Sequence, residues 1–248
     1  MLKMSIKILL FVGLGFVFGC SQVQSQFQEL VSTKEISDSA IIDEKDEIVE
    51  KELTSNPVAA LLPAGDYKLD KSHASLIFRV NHLGFSNYTA RFKRFDADLY
   101  FNPKKPTKSK IVAVIDPTSI ETDYPDAKTL DFNAELYGEK WLDAAKFAQI
   151  KFRSKKIEMI NSDSARIIGE LSLHGIKKKI VLEAKFNGGY VGHPYDPNPR
   201  IGFSAKGFLN RSDFGISYGI PTQGSKMGVS DRVEFILEVE FSKISKKS

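Results

Sequence analysis

The stretch Arg232-Val233-Glu234-Phe235-Ile236-Leu237-Glu238-Val239-Glu240-Phe241 decides the fold class. Val233, Phe235, Leu237, Val239 and Phe241 take every second position, and Arg232, Glu234, Glu238 and Glu240 fall between them. Successive side chains of a strand point to opposite faces, so this period marks a strand with one buried and one solvated face. A helix would spread the same charges around its circumference.

The same period recurs on the N-terminal side. Leu76, Phe78, Val80 and His82 alternate with Ser75, Ile77, Arg79 and Asn81. After a break at Lys93-Arg94, which predicts a bulge, Phe95, Ala97, Leu99 and Phe101 alternate with Asp96, Asp98 and Tyr100. Ile111, Ala113 and Ile115 continue the series, as do Phe147 to Phe152, Leu171 with Leu173, Ile180 to Phe186, and Phe203 to Leu209. Asn102-Pro103-Lys104-Lys105-Pro106, Asn161-Ser162-Asp163, His174-Gly175 and Asn187-Gly188-Gly189 supply turn chemistry between the runs. One region, about 126–142, reads as a helical insert. Roughly eight strands with one apolar face each predict an all-β protein, either a sandwich or a barrel. Their length favours an eight-stranded antiparallel barrel, which has room inside for packed side chains or one elongated ligand.

The rest of the chain divides by composition. Residues 1–19 read as an export signal: Lys3 and Lys7 precede an apolar run from Ile8 to Phe18, too short to span a bilayer comfortably. The sole cysteine, Cys20, follows in Val17-Phe18-Gly19-Cys20, which resembles the lipobox of bacterial lipoproteins. The alternative is ordinary secretion with a buried or free Cys20. Ser21 and Gln22 lack the Asp that commonly retains lipoproteins in the inner membrane, so the expectation is a periplasmic protein anchored to the outer membrane. Residues 20–62 form a tether in which nine acids face three lysines, a net charge of −6. Such a segment cannot bury enough surface to offset its ordering entropy, and as a coil it would span roughly 35–40 Å. The overall charge of +4 then leaves +8 for the domain, residues 63–248.

That surplus prefers anionic surfaces, but scattered lysines without a recognisable binding motif do not predict nucleic acid as a partner. One cysteine excludes an intrachain disulfide framework and any multi-cysteine metal site. His73, His82, His174 and His193 show no metal-ligand spacing, and neither a nucleophile elbow nor a phosphate-cradling glycine loop is present. No catalytic residue, metal ligand or cofactor is therefore expected. His82 shares parity with Leu76, Phe78 and Val80, so it closes an inward row as a strand-end residue or as a donor to a ligand headgroup. His73 and His174 read as structural.

A family resemblance rests on several segments. Tyr67-Lys68-Leu69-Asp70-Lys71-Ser72-His73-Ala74-Ser75, Asn81-His82-Leu83-Gly84-Phe85-Ser86 and Arg91-Phe92-Lys93-Arg94-Phe95 are similar to the start of the YceI-like domain. Ile115-Asp116-Pro117-Thr118-Ser119-Ile120-Glu121-Thr122, Trp141-Leu142-Asp143 and Ile150-Lys151-Phe152-Arg153-Ser154 follow in order. Gly169-Glu170-Leu171-Ser172-Leu173-His174-Gly175-Ile176-Lys177-Lys178 and Asn210-Arg211-Ser212-Asp213-Phe214-Gly215 complete the set, over about 65–242.

The resemblance implies a lipocalin-like barrel, usually periplasmic, that holds a polyisoprenoid or similar amphiphile in an apolar tunnel. Carried over by position, the tunnel wall would be Leu76, Phe78, Val80, Phe92, Phe95, Leu99, Ile111, Ile115, Phe152, Leu171, Leu173, Leu182, Phe203, Val233, Phe235 and Leu237. Leu136, Trp141 and Leu142 would cap or line one end, with His82 at the rim. Trp141-Leu142 stands where the family commonly has an aromatic pair, and Glu135 where it often has His.

Burying about ten methylenes at about 0.8 kcal/mol each would offset typical association costs without polar readout. The expected function is thus an exported, lipid-anchored carrier or store of an isoprenoid, quinone or fatty amphiphile, not an enzyme. The alternative is a non-carrier envelope protein with a solid barrel that binds a protein or an anionic polymer. An enzyme acting through His82 comes third, and a homodimer stays open.

Overall fold

The computed structural model describes residues 56–244. The expected signal (1–19), Cys20 and the tether up to residue 55 lie outside the described residues.

Among the described residues, ten strands make one antiparallel sheet: β1 (Gly65–His82), β2 (Ser86–Phe92), β3 (Phe95–Phe101), β4 (Lys110–Ile115), β5 (Ile120–Glu121), β6 (Ile150–Met159), β7 (Ser164–Leu173), β8 (Ile176–Tyr190), β9 (Arg200–Asn210) and β10 (Val229–Lys243). Pairing runs β10-β9-β8-β7-β6-β4-β3-β1, and β1 pairs back onto β10, which closes the sheet. β2 and β3 are two parts of one bent stave, since both pair with β1. β4 and β5 form another, β4 on β3 and β5 on β2. The barrel therefore has eight staves, as the alternation predicts. The break at Lys93-Arg94 is the bend, held by Lys93 N–H to the Ser119 carbonyl (3.0 Å) and Asp116 N–H to the Arg94 carbonyl (3.0 Å).

The closing seam sets the inward parity. Leu76 pairs with Leu237, Phe78 with Phe235 and Val80 with Val233, so both predicted rows face the lumen. The outer row of β10 carries Arg232, Glu234, Glu238 and Glu240. A barrel that crosses a bilayer has the opposite arrangement, with an apolar band outside.

Four expectations change, three of them within the barrel. The strand predicted over Phe147 to Phe152 begins at Ile150; Phe147 lies in the preceding turn, its ring 4.7 Å from the His174 ring. The helix expected over 126–142 is one short segment, α2 (Phe132–Tyr137), stopped at Gly138. Asn187-Gly188-Gly189 is not a turn: β8 runs through it to Tyr190, with a register shift between Phe186 and Gly188. Gly188 at φ +136° accommodates the bulge, and the chain reverses later, over 191–199.

Of the segment expected as tether, residues 56–62 fold onto the domain. Asn56 accepts the backbone N–H groups of Val58 and Ala59, and Pro57 opens the short helix α1 (Pro57–Ala60). Ala59 and Leu62 are buried against Tyr67, Phe101 and Ile201. Tyr67, fully buried, donates to the Pro63 carbonyl (2.8 Å), and burial pushes its phenol up to about 12.

Candidate functional site

The inward rows enclose a cavity of about 750 Å³, within the size range of small-molecule sites. Every expected wall residue lines it: Leu76, Phe78, Val80 and His82 from β1; Phe92, Phe95 and Leu99 from β2 and β3; Ile111 and Ile115 from β4; Phe152 from β6; Leu171 and Leu173 from β7; Leu182 from β8; Phe203 from β9; Val233, Phe235 and Leu237 from β10; and Leu136, Trp141 and Leu142 from the insert. His82 is exposed and stands at the rim.

Two glycines help explain why so many phenylalanines leave the lumen open. A Cβ at Gly169 would clash with the Phe152 ring, and one at Gly207 with the Phe235 ring. Both glycines share inward parity with Leu171 and Leu209, so each ring lies flat against the wall in the space a side chain would fill. Phe78 and Phe92, with centroids 5.5 Å apart, pack on each other on the adjoining wall.

The two ends differ. At the end where β1 begins, α1 and the Phe101, Phe186 and Phe203 rings line the cavity; Phe186 and Phe203 are 5.6 Å apart. The opposite end, where β1 finishes, is lined by His82, Tyr88, Tyr124, Phe132, Trp141 and Arg211. Tyr88 and Tyr124 pack on Phe132 of α2 (6.0 and 5.5 Å).

Arg211 follows β9 and is only 4% exposed. Its Nε donates to the Ser230 carbonyl (3.0 Å), Nη1 to those of Ile216 (3.1 Å) and Tyr218 (2.7 Å), and Nη2 to that of Val229 (2.8 Å). Desolvation lowers its pKa from the ordinary guanidinium value. Its Cζ lies 5.1 Å from the Trp141 ring centroid, and Trp141 Nε1 is buried with no acceptor.

Sequence reasoning missed part of this site. Phe186 and Phe241 share the inward parity, and period two alone selects them. Ala59 was hidden in an acidic stretch, although Asn56-Pro57 is a helix-start signal. Arg211 gave no local sign, because its acceptors come from residues 216–230.

A second cluster lies near the start of β9. Arg200 Nη1 bonds Asp70 and Glu240 (2.9 Å to Glu240), while Nε and Nη2 bond Asp196 (3.0 and 2.9 Å). The Tyr190 hydroxyl also donates to Asp196 (2.8 Å). Hydrogen bonds from His73 and then Arg200 hold the Asp70 carboxyl far below the usual carboxylate range. Asp70, His73 and Glu240 come close enough to share an ion, but the guanidinium already bridges two of them. The cluster reads as an ion-pair tie among the β1 bulge, β9, β10 and the 191–199 loop.

Comparison with known proteins agrees with this architecture. A family model described as YceI-like domain matches residues 67–241. The chain belongs to the YceI-like family. A UPF0312 protein of Yersinia pestis (strain Pestoides F) is 35% identical over 181 residues, covering 71% of this chain and 86% of the relative. One from Serratia proteamaculans is 34% identical over 191 residues, covering 73% and 91%. The Campylobacter jejuni YCEI protein is 28% identical with a TM-score of 0.55, covering 66% of this chain and 90% of that one. Burkholderia cenocepacia BcnA is similar in fold at 19% identity, TM-score 0.58, covering 69% of this chain and 98% of that one.

Proposed function

We propose that this protein carries or stores an amphiphile with a long apolar chain, of the polyisoprenoid, quinone or fatty class, inside its barrel. It does so as an exported protein, lipid-anchored through Cys20 and facing the periplasm from the outer membrane. The observation that carries the reading is the cavity itself, a lumen of about 750 Å³ walled by aliphatic and aromatic side chains and held open at Gly169 and Gly207. Each methylene moved from water into it is worth about 0.8 kcal/mol, and the wall offers methyl groups and rings where an enzyme would need paired acids and bases. Such a lumen counts against the alternative of a solid barrel. The placement in the envelope is supported by the signal-like residues 1–19 and the lone cysteine that follows them.

The test is binding of the apolar fluorophore 1-N-phenylnaphthylamine. Phe78→Asp puts a carboxylate on the wall, where an unpaired charge is strongly disfavoured, and is expected to weaken binding at least tenfold. Lys151→Ala, on the outer face of β6, is expected to leave it unchanged. Equal binding by Phe78→Asp and the parent would contradict the reading.

A further inference from the structure

The polar groups that line the cavity are not distributed evenly. At the α1 end the polar residues are Asn56, Ser109, Ser162 and Asp163, the last accepting from the Ser164 hydroxyl (2.6 Å). At the opposite end, beside His82, Tyr88 and Tyr124, stands a cation, Arg211, with Trp141 next to it. Four of the five guanidinium N–H groups are taken by backbone carbonyls, and the fifth, on Nη2, remains. Carbonyl dipoles satisfy donors but leave a formal charge uncompensated, and a charge this deeply buried normally has a counter-ion.

No carboxylate among the described residues lies within ion-pair distance of Arg211. Asp231 acts on it electrostatically from beyond that distance and offsets its charge only in part; the hydrogen bonds of that carboxylate go to the Ser212 N–H (2.8 Å) and hydroxyl (2.7 Å). Outside the cavity wall, Tyr218 packs edgewise on Trp141 at 5.4 Å, and the exposed Lys140 lies over the Tyr218 ring, its Nζ 5.2 Å from the centroid. The buried indole N–H of Trp141 has no acceptor at all.

We propose that this end of the cavity holds the anionic headgroup of the carried amphiphile, a carboxylate or phosphate. The headgroup oxygens take the free N–H of Arg211 and the indole N–H of Trp141. The apolar chain runs down the barrel toward α1. This assignment rests on the carrier reading above and adds to it the polarity and orientation of the ligand. An anion supplies a counter-charge in contact, which Asp231 at its distance does not, and also takes the unpaired donor, whereas a neutral hydroxyl takes only the donor. The reverse orientation would set the anion against Asp163.

The full chain is titrated with tetradecanoate, tetradecanol and acetate, each competing against bound 1-N-phenylnaphthylamine. Tetradecanoate is expected to displace it at least tenfold more effectively than tetradecanol, and acetate not at all. Trp141→Phe, which keeps the ring and loses the donor, is expected to reduce that preference two- to threefold. Arg211→Met is expected to remove most of it. Because Arg211 also binds four carbonyls, the location is checked independently of any variant: a tetradecanoate analogue with a diazirine beside its carboxylate is expected to label Trp141 or residues 211–218.

Equal displacement by acid and alcohol overturns the headgroup assignment and leaves the carrier reading standing. So does a preference that survives in folded Arg211→Met, or labelling of residues 101–109 or 159–164. Displacement by acetate alone would make this a free-anion site and overturn the assignment too. Failure of the fluorophore and both long-chain probes to bind overturns the carrier reading and the assignment together.

Discussion

Arg200 and Arg211 are the two most engaged cations of the barrel, and they are satisfied in opposite ways. Arg200, 20% exposed at its side chain, is ringed by Asp70, Asp196 and Glu240. Arg211 is more deeply buried, yet its acceptors are four backbone carbonyls. If both were scaffold residues, the more buried one would have the greater need of carboxylates. Charge at the outer tie is met by carboxylates in contact, whereas the charge at the cavity has its acid partner, Asp231, beyond contact distance, which leaves the room that the proposed headgroup would take.

The largest effect expected from breaking this contrast is at Arg211. Arg211→Ala strips four carbonyls of their donor, and at about 1 kcal/mol or more for each buried orphan the loss should be about 4 kcal/mol in urea unfolding. Arg200→Ala should cost less, about 2 kcal/mol at neutral pH, because its network is partly exposed and screened.

The pH dependence should separate the two further. The Asp70 and Asp196 carboxyls are depressed in the folded state, Asp70 first by His73 and then Arg200, and Asp196 first by Tyr190 and then Arg200. Depressed carboxylates contribute stability that is present above the unfolded value of about 3.9 and lost as pH falls through the folded value. The gap between the parent and Arg200→Ala should therefore narrow as pH drops below about 4, while the gap for Arg211→Ala stays constant over that window. A constant gap for both, measured by urea unfolding at pH 7 and pH 3.5, would erase the distinction.

Gly207→Ala touches neither arginine and should have the smallest effect on stability, about 1–2 kcal/mol of overpacking. By pushing the Phe235 ring into the lumen, it should weaken fluorophore binding and leave the preference for acid over alcohol intact. Loss of that preference would mean that chain and headgroup are not held separately.

Much of the barrel could be read from the alternation alone, because a half-buried strand records its two faces in the residues themselves. Val233 to Phe241 and Leu76 to His82 gave the inward parity, though not that the two rows pair with each other, and every wall residue inferred from parity and resemblance lines the cavity. Features that depend on distant partners were harder to see. Asn187-Gly188-Gly189 has the composition of a turn, but its neighbours on β9 draw it into a bulged strand. Gly169 and Gly207 look like weak points within strands until the facing rings of Phe152 and Phe235 are in place. Arg211 follows a strand with no local sign of burial, and only the closure of the 211–230 segment around it shows that it is buried.

The central claim is that the lumen holds an amphiphile in the cell. The most direct measurement is native mass spectrometry of the full-length protein purified from its own cells, followed by organic extraction. A discrete added mass is expected, which organic solvent releases as a long-chain species; an anionic headgroup on that species would bear out the assignment at Arg211 as well. A protein that repeatedly arrives without any long-chain species, from cells in which it is expressed and folded, would contradict the carrier reading.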